Sequence, residues 1–439
     1  MWKDDLDEAV AYMERGQIDP AIAKFSGMLD KRPHHPTLLY YLGTCYLNKG
    51  QSGIAANLLM AAIQKKPGFF DAMCNLGVAY RNELLNDEAK QVWEAAIALK
   101  PDAGVYSNLG GLYINAGQPN KALEYYDKAL KLDPESAHTH SNRALAFLET
   151  GRWKEGWEEY EWGITLGSRR VKNYGLPKWE GGKNEVVVVM GEQGIGDEIM
   201  FASMLPDLIA ICKKVVIDCH PRLPALFTRS FPRCDVRPTR KSPDGTWAKR
   251  EYPDAKWVNI GSLGRFFRHD AGSFPKRPYL VAEPQKFKGV GLAWAGGTKN
   301  TNAKDRSLTL DQLTPLLQKE KTYYSLQYTA EAARDVCQFE GDKGIAIKHW
   351  PKYVEAFDYD ITAGFIAGLD RIVSVCTTIV HLAGALGVPT ICLTPKRVAW
   401  RYGQTGDTTP WYGSVRTFRQ EKEGDWNPVL ERVKRDLNV

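Results

Sequence analysis

The chain has 439 residues, 44% hydrophobic and 25% charged, with a formal net charge of +6. That length predicts roughly two to four domains of ordinary globular composition. No apolar run approaches the roughly 20 residues of a membrane span. The acidic start MWKDDLDEAV lacks the basic and apolar regions of a signal peptide. The eight cysteines form no C-x-x-C pair, which excludes an obvious zinc site or disulfide framework and predicts a reducing, cytoplasmic compartment. Charge is divided unevenly. Residues 1–168 hold 17 basic and 22 acidic side chains, and the remainder holds 41 and 30. A basic second half suits an anionic ligand.

The first 168 residues repeat with a period of 34. Prolines fall at Pro33, Pro67, Pro101 and Pro134, and alanines at Ala21, Ala55, Ala89 and Ala122. Tyr12, Tyr46, Tyr80 and Tyr113 keep the same register, as do Gly43, Gly77 and Gly110. Small residues let paired helices approach, aromatics fill the space between repeats, and each proline stops a helix. These positions resemble the tetratricopeptide repeat. Five repeats are expected, the last degraded and carrying Trp153, Trp157 and Trp162. Trp153 and Trp157 share one helical face and are expected to pack the array against the next domain. Such arrays bind extended peptides, serve as scaffolds or hold a homodimer, and the side chains here do not choose among these.

Residues 169–183 read as a polar linker. Val186–Met190 is then a strand buried on both faces, followed by a glycine turn with Gly191, Gly194 and Gly196. Asp197 opens the next helix. A turn built for a pyrophosphate leaves its helix end free for the anion. A carboxylate there argues instead for a positioned acid facing a cleft, with a plain N-cap as the bland alternative. Asp218 lies where a dinucleotide fold holds its ribose acid, but the third glycine of that fingerprint is replaced by Ile199. Further strands are expected at Val215–Cys219, Val290–Ala293, Thr322–Leu326, Ile345–Ile347, Arg371–Val375 and Thr390–Leu393. A basic, proline-rich stretch, Arg233–Pro284, separates the two groups. Alternating strands and helices predict two Rossmann-like domains, residues 184–285 and 286–439, closed by a helix beginning near Asn427.

Three segments of the last third carry chemistry. Trp294 and Gly297 lie in a glycine turn followed by Arg306 and Ser307, a setting for phosphate contact. Cys376, Thr377 and Thr378 lead from a buried strand into a helix whose amides and hydroxyls suit a diphosphate, with His381 one turn on. The loop holding Trp400, Arg401, Tyr402, Trp411 and Tyr412 either closes over a ligand or packs.

The segments GEQGIGDEIMFASMLP, RSLTLDQL, DYDITAGFIAGLDRIVSVCTTIVHLAGALG and TPWYGSVRTFRQ, in that order and spacing, look like the family-nine GT-B glycosyltransferases. These are the heptosyltransferase-like enzymes, here in the form fused behind tetratricopeptide repeats. The resemblance implies an all-α array followed by an α/β GT-B fold. It also implies an inverting transfer from a nucleotide-sugar to a hydroxyl, with no metal or other cofactor required. Carried residue by residue, Asp197 matches the family's base, and Gly194 and Gly196 match its acceptor-side turn. Arg306, Ser307, Thr377, Thr378 and His381 match the donor side, where Trp294 and Cys376 are also placed. The family usually has aspartate at the position of Cys376, and a thiol cannot accept two charge-assisted hydrogen bonds from sugar hydroxyls. Either the donor is not a heptose or activity is lost. Two alternatives therefore stay open: a repeat scaffold with a decayed transferase half, and a glycosyltransferase acting on modified nucleic acid. Against nucleic acid as partner, there is no recognition helix and no basic-aromatic strand pattern.

Overall fold

The computed structural model describes residues 2–296 and 303–437. Gly297 lies outside the described residues. The chain divides into two compact units, Met1–Arg143 and Ala144–Val439.

The first unit is helical throughout. Helix pairs run Trp2–Glu14 with Ile18–Lys31, Pro36–Asn48 with Ser52–Lys65, Phe70–Asn82 with Asn86–Leu99, and Ala103–Asn115 with Pro119–Leu132. The 34-residue register is visible as packing. Ala21, Ala55, Ala89 and Ala122 are fully buried. Each repeat glycine sits where its partner helix presses closest. A Cβ at Gly43 would lie 2.9 Å from Leu59, at Gly77 2.2 Å from the Trp93 ring, and at Gly110 2.5 Å from Tyr126. A fifth pair, Ala137–Glu149 with Trp153–Tyr160, follows.

In the second unit, the first sheet contains β1 (Val186–Met190), β2 (Lys214–Asp218), β3 (Asp235–Arg237) and β4 (Lys256–Asn259). All pairs are parallel, in the order β3-β2-β1-β4. The second sheet contains β5 (Val290–Ala293), β6 (Tyr323–Ser325), β7 (Ile347–His349), β8 (Arg371–Val375), β9 (Thr390–Thr394) and β10 (Val415–Arg419). It is also all-parallel, in the order β10-β9-β8-β5-β6-β7. The order in which strands are added reverses between β1 and β4 in one sheet and between β5 and β8 in the other. Doubly wound sheets open a ligand crevice at such a point, beyond the carboxyl ends of the strands. The loops after β1, β5 and β8 carry the motifs singled out above.

Three expectations need correction. Arg233–Pro284 is not a separator, because it supplies β3 and β4. Both escape a hydrophobic reading: β3 is three half-buried residues, and β4 starts at Lys256, which is paired with Glu185 at 2.5 Å. β10 is an additional strand, whose buried Val415, Thr417 and Phe418 are masked in the sequence by charge at Arg416 and Arg419. Residues 169–183 are not a free linker. Arg169, Lys172, Tyr174 and Trp179 are buried, and Trp179 donates backbone and indole N–H bonds to Trp257 O and Gly182 O.

The compact boundary also falls earlier than residue 168, because the last repeat packs into the second unit. Trp157 is fully buried among Tyr160, Phe201, Trp400 and Trp411, and its indole donates to Arg268 O at 2.9 Å. A Cβ at Gly264 would lie 2.3 Å from its ring. Trp153 packs on Phe274.

The repeat glycines can be tested by sign. Alanine in a helix interior is favoured over glycine by about 1 kcal/mol, but overpacking costs about 1–3 kcal/mol. Trp93 is fully buried and its indole is bonded to Cys74 O at 3.0 Å, so it has nowhere to move. Thermal unfolding should show Gly77→Ala destabilised. Gly111→Ala, whose added Cβ meets nothing within 4 Å, should be slightly stabilised.

Candidate functional site

β1 ends at a turn whose residues have distinct tasks. Gly191 leaves room for the Glu198 carboxyl, which would lie 2.4 Å from an added Cβ. Glu192 turns inward, where it holds Arg169 at 2.6 Å and accepts from Gly261 N at 2.9 Å. Gln193 takes a left-handed conformation, φ +61. Gly194 is the N-cap of helix Ile195–Phe201. Asp197 is therefore not the N-cap but the third helical residue, from which its carboxylate reaches back to the N-cap backbone. Its Oδ2 accepts from Gly194 N at 3.3 Å, and its Oδ1 is paired with Arg401 Nη2 at 2.5 Å. The next residue, Glu198, is fully buried, accepts from His220 N at 2.9 Å and pairs with Arg240. Burial pushes its carboxyl up to about 7, against the pull of Arg240. Arg240 also donates to Gln193 O at 2.7 Å, so this pair holds the turn from behind while Asp197 faces the cleft.

Opposite stands the junction of β8 with helix Thr378–Leu386. Thr377 caps this helix, accepting from Ile379 N at 3.2 Å. Gly296, after β5, packs on it: a Cβ there would lie 2.2 Å from Thr377 Cγ2. Ser307 Oγ accepts from Gly296 N at 3.3 Å and donates to Ala303 O at 2.5 Å, and Arg306 Nε donates to Gly296 O at 3.2 Å. The Arg306–Ser307 pair is thereby brought to the helix start. Trp294 is not at the cleft. It is 2% exposed in the core of the second sheet, and its backbone N–H donates to Gln327 Oε1 at 3.2 Å. It supports the loop from beneath.

The two junctions meet at Gly196, where a Cβ would lie 3.1 Å from Thr378 Oγ1 and 3.2 Å from His381 Cδ2. The cleft between the sheets has a volume of about 660 Å³, and Asp197, Arg306, Cys376, Thr378, His381 and Arg401 line it. A second chamber of about 630 Å³ shares Ile195, Tyr328 and Thr378 with it and adds Arg222, Phe357 and Tyr359. His381 is clamped between Tyr412 Oη at 3.0 Å and Tyr402 Oη at 3.1 Å. Burial, and then the nearby Arg401, hold it down to about 3, so the ring is neutral. Cys376 is buried with its Sγ 3.8 Å from Cys392 Sγ and 3.8 Å from Leu393 O. Asp218 has no room for a ribose. It takes Lys172 at 2.9 Å, Tyr174 Oη at 2.6 Å and the Thr239 hydroxyl at 2.8 Å.

Sequence reasoning gave Arg401 no role at Asp197. The signal was its place between Trp400 and Tyr402. Both neighbours are buried, which sends the cation the other way, into the cleft.

Tetratricopeptide-repeat family models match residues 6–68 and 103–136. The N-terminal array is built of tetratricopeptide repeats. Over most of its length the chain is similar to Protein FlbA of Caulobacter vibrioides, 26% identical over 419 residues, covering 79% of this chain and 69% of that protein. Solved structures similar to it include MamA from Desulfovibrio magneticus RS-1, at 24% identity over 38% of this chain and 94% of that one, TM-score 0.34. A thermophilic tetratricopeptide-repeat protein of Thermus thermophilus matches at 22% identity over 38% of this chain and 92% of that one, TM-score 0.34. Among the described residues, no helix is long and apolar enough to cross a membrane.

The neutral histidine can be checked without a ligand. His381 binds a proton in the unfolded chain below about pH 6.5 but not in the folded one until about pH 3. Its contribution to stability is therefore present above pH 6.5 and lost as pH falls toward 3. Denaturant unfolding across that window should show His381→Gln losing less stability than the parent protein.

Proposed function

We propose that this protein is an inverting glycosyltransferase of the GT-B, family-nine type, moving a sugar from a nucleotide-sugar to a hydroxyl of a macromolecular acceptor. The observation that carries this reading is the meeting of an acid and an anion-favouring helix start across one cleft. Asp197 comes from the switch point of one sheet, and Thr377, Thr378 and Arg306 come from that of the other. The donor's diphosphate belongs at the helix start, where amide dipoles, the Thr378 hydroxyl and Arg306 meet negative charge. The acceptor belongs at the glycine-turn side, within reach of Asp197. The adjoining aromatic chamber gives a second substrate room beside the first.

In the transfer, the acceptor oxygen attacks the anomeric carbon from the face opposite the diphosphate. The bond from that carbon to the diphosphate oxygen breaks, and its electron pair leaves on the nucleotide. The acceptor proton passes to Asp197. The charge that develops on the leaving group is met by fixed donors and cations. Cys376 turns its thiol toward β9, so it supplies no carboxylate to the sugar. The reading therefore takes a donor other than a heptose. Cys376 is also the one observation favouring the second reading, a repeat scaffold whose transferase half is inactive. The tetratricopeptide array recruits or orients the acceptor, or holds a homodimer, and supplies no reacting group.

A screen of nucleotide-sugars for donor hydrolysis identifies the substrate. With that donor, Asp197→Asn keeps the helix-end contact but removes the charge, and transfer should fall ~100-fold or more. Unchanged turnover would remove Asp197 from the chemistry. Deleting residues 1–135 leaves the Trp153–Trp157 packing in place. Hydrolysis should persist while transfer to a macromolecular acceptor weakens. Loss of hydrolysis in a truncated protein that still unfolds cooperatively would place the array in the active site.

A further inference from the structure

We infer that Arg401 changes partners during the cycle: it pairs with Asp197 when the cleft holds no anion and with the donor's diphosphate when it does. The inference rests on the transferase reading above and assigns a residue to it. Three features of the structure lead there. First, Arg401 reaches Asp197 across the cleft, from the loop after β9 to the helix after β1, at 2.5 Å. Both side chains are partly exposed, 25% and 21%, so the pair sits at the cleft wall and is not sealed in the core. Second, the guanidinium is underused. Its Nε is buried without a hydrogen-bond partner among the described residues, an arrangement that costs free energy unless an acceptor arrives. Third, the backbone beneath it is fixed. Trp400 packs on Trp157 and Trp411, and Tyr402 is bonded to His381, so a change of partner needs only side-chain rotation.

The exchange has a chemical purpose. In the empty cleft both Asp197 oxygens are taken, Oδ1 by the Arg401 guanidinium and Oδ2 by Gly194 N, so neither is open to an acceptor hydroxyl. A diphosphate carries more charge than one carboxylate and accepts the planar fork of arginine at two oxygens. Drawing Arg401 to the diphosphate adds a cation where the leaving group develops charge. In the same movement it frees Asp197 to take the acceptor proton. The base is armed only once the donor is in place, which predicts that donor binds before acceptor.

The test uses the full-length protein and inorganic pyrophosphate as probe, with affinity read by calorimetry. Arg401→Gln should weaken pyrophosphate roughly 10-fold or more, the scale of a lost charge-assisted contact, and Arg401→Lys should fall between. Asp197→Asn should tighten it, because the competing carboxylate is gone, and a gain in affinity cannot come from misfolding. In the Arg401→Gln background, Asp197→Asn should give much less of that gain. Equal pyrophosphate affinity in the parent and Arg401→Gln would overturn the exchange, as would the same gain from Asp197→Asn in both backgrounds. Those outcomes leave the transferase reading standing if a nucleotide-sugar is hydrolysed. If the parent protein binds no pyrophosphate at millimolar concentration, the exchange falls, while the transferase reading is decided by the nucleotide-sugar hydrolysis screen.

Discussion

The site depends on one close approach. The start of helix Ile195–Phe201 is set against the start of helix Thr378–Leu386, and Gly196 of the first makes the contact. Two helix N-termini bring like partial charge together, an arrangement that repels itself unless something negative stands between. Arg306, Lys396, Arg397 and Arg401 line the same cleft and add to the positive field. Asp305 and Glu423 lie on the same lining, and Asp197 is the counter-charge that stands at the helix starts themselves. The neutral state of His381 belongs to the same balance, since burial first and then the nearby Arg401 oppose a proton there.

Holding two such ends together demands rigid support behind each. Behind the glycine turn it is electrostatic: Glu192 on Arg169, and Glu198 on Arg240 and the His220 amide. Glu161 joins the first of these, and although burial opposes its charge, Arg169, Ser262 and Lys178 hold its carboxyl down to about 2. Behind the Arg401 loop the support is aromatic, with Trp157, Trp400, Trp411 and Phe274 packed ring against ring. Removing one partner of a buried charged pair strands the other, so these supports act as sets.

Much of this was legible in the chain. The 34-residue register gave the helix pairs, and a run of four valines gave the central strand of the first sheet. The glycine turn and the Arg306–Ser307 and Thr377–Thr378 segments, singled out by their composition, do border one cleft. What escaped has a physical pattern. β3, β4 and β10 carry charge at sheet margins, where hydrophobicity is a poor guide. Arg169 and Lys172 read as linker residues because a buried cation cannot be told from a solvated one without its partner. Trp294 read as a ligand contact because a glycine turn beside it drew attention, whereas its ring fills the core. The Asp197–Arg401 pair joins positions 204 residues apart, a distance no local pattern spans.

The burial of Trp157 bears on how such a chain can vary. Repeat arrays are close to one-dimensional, each repeat leaning on its neighbours. Here the final pair of helices contributes its second member to the core of the α/β unit, and the compact division falls upstream, at Arg143. A substitution at Trp153 or Trp157 has to suit that core as well as the repeat that carries it, so the last pair is constrained from two sides where a repeat inside an array answers only to its own kind.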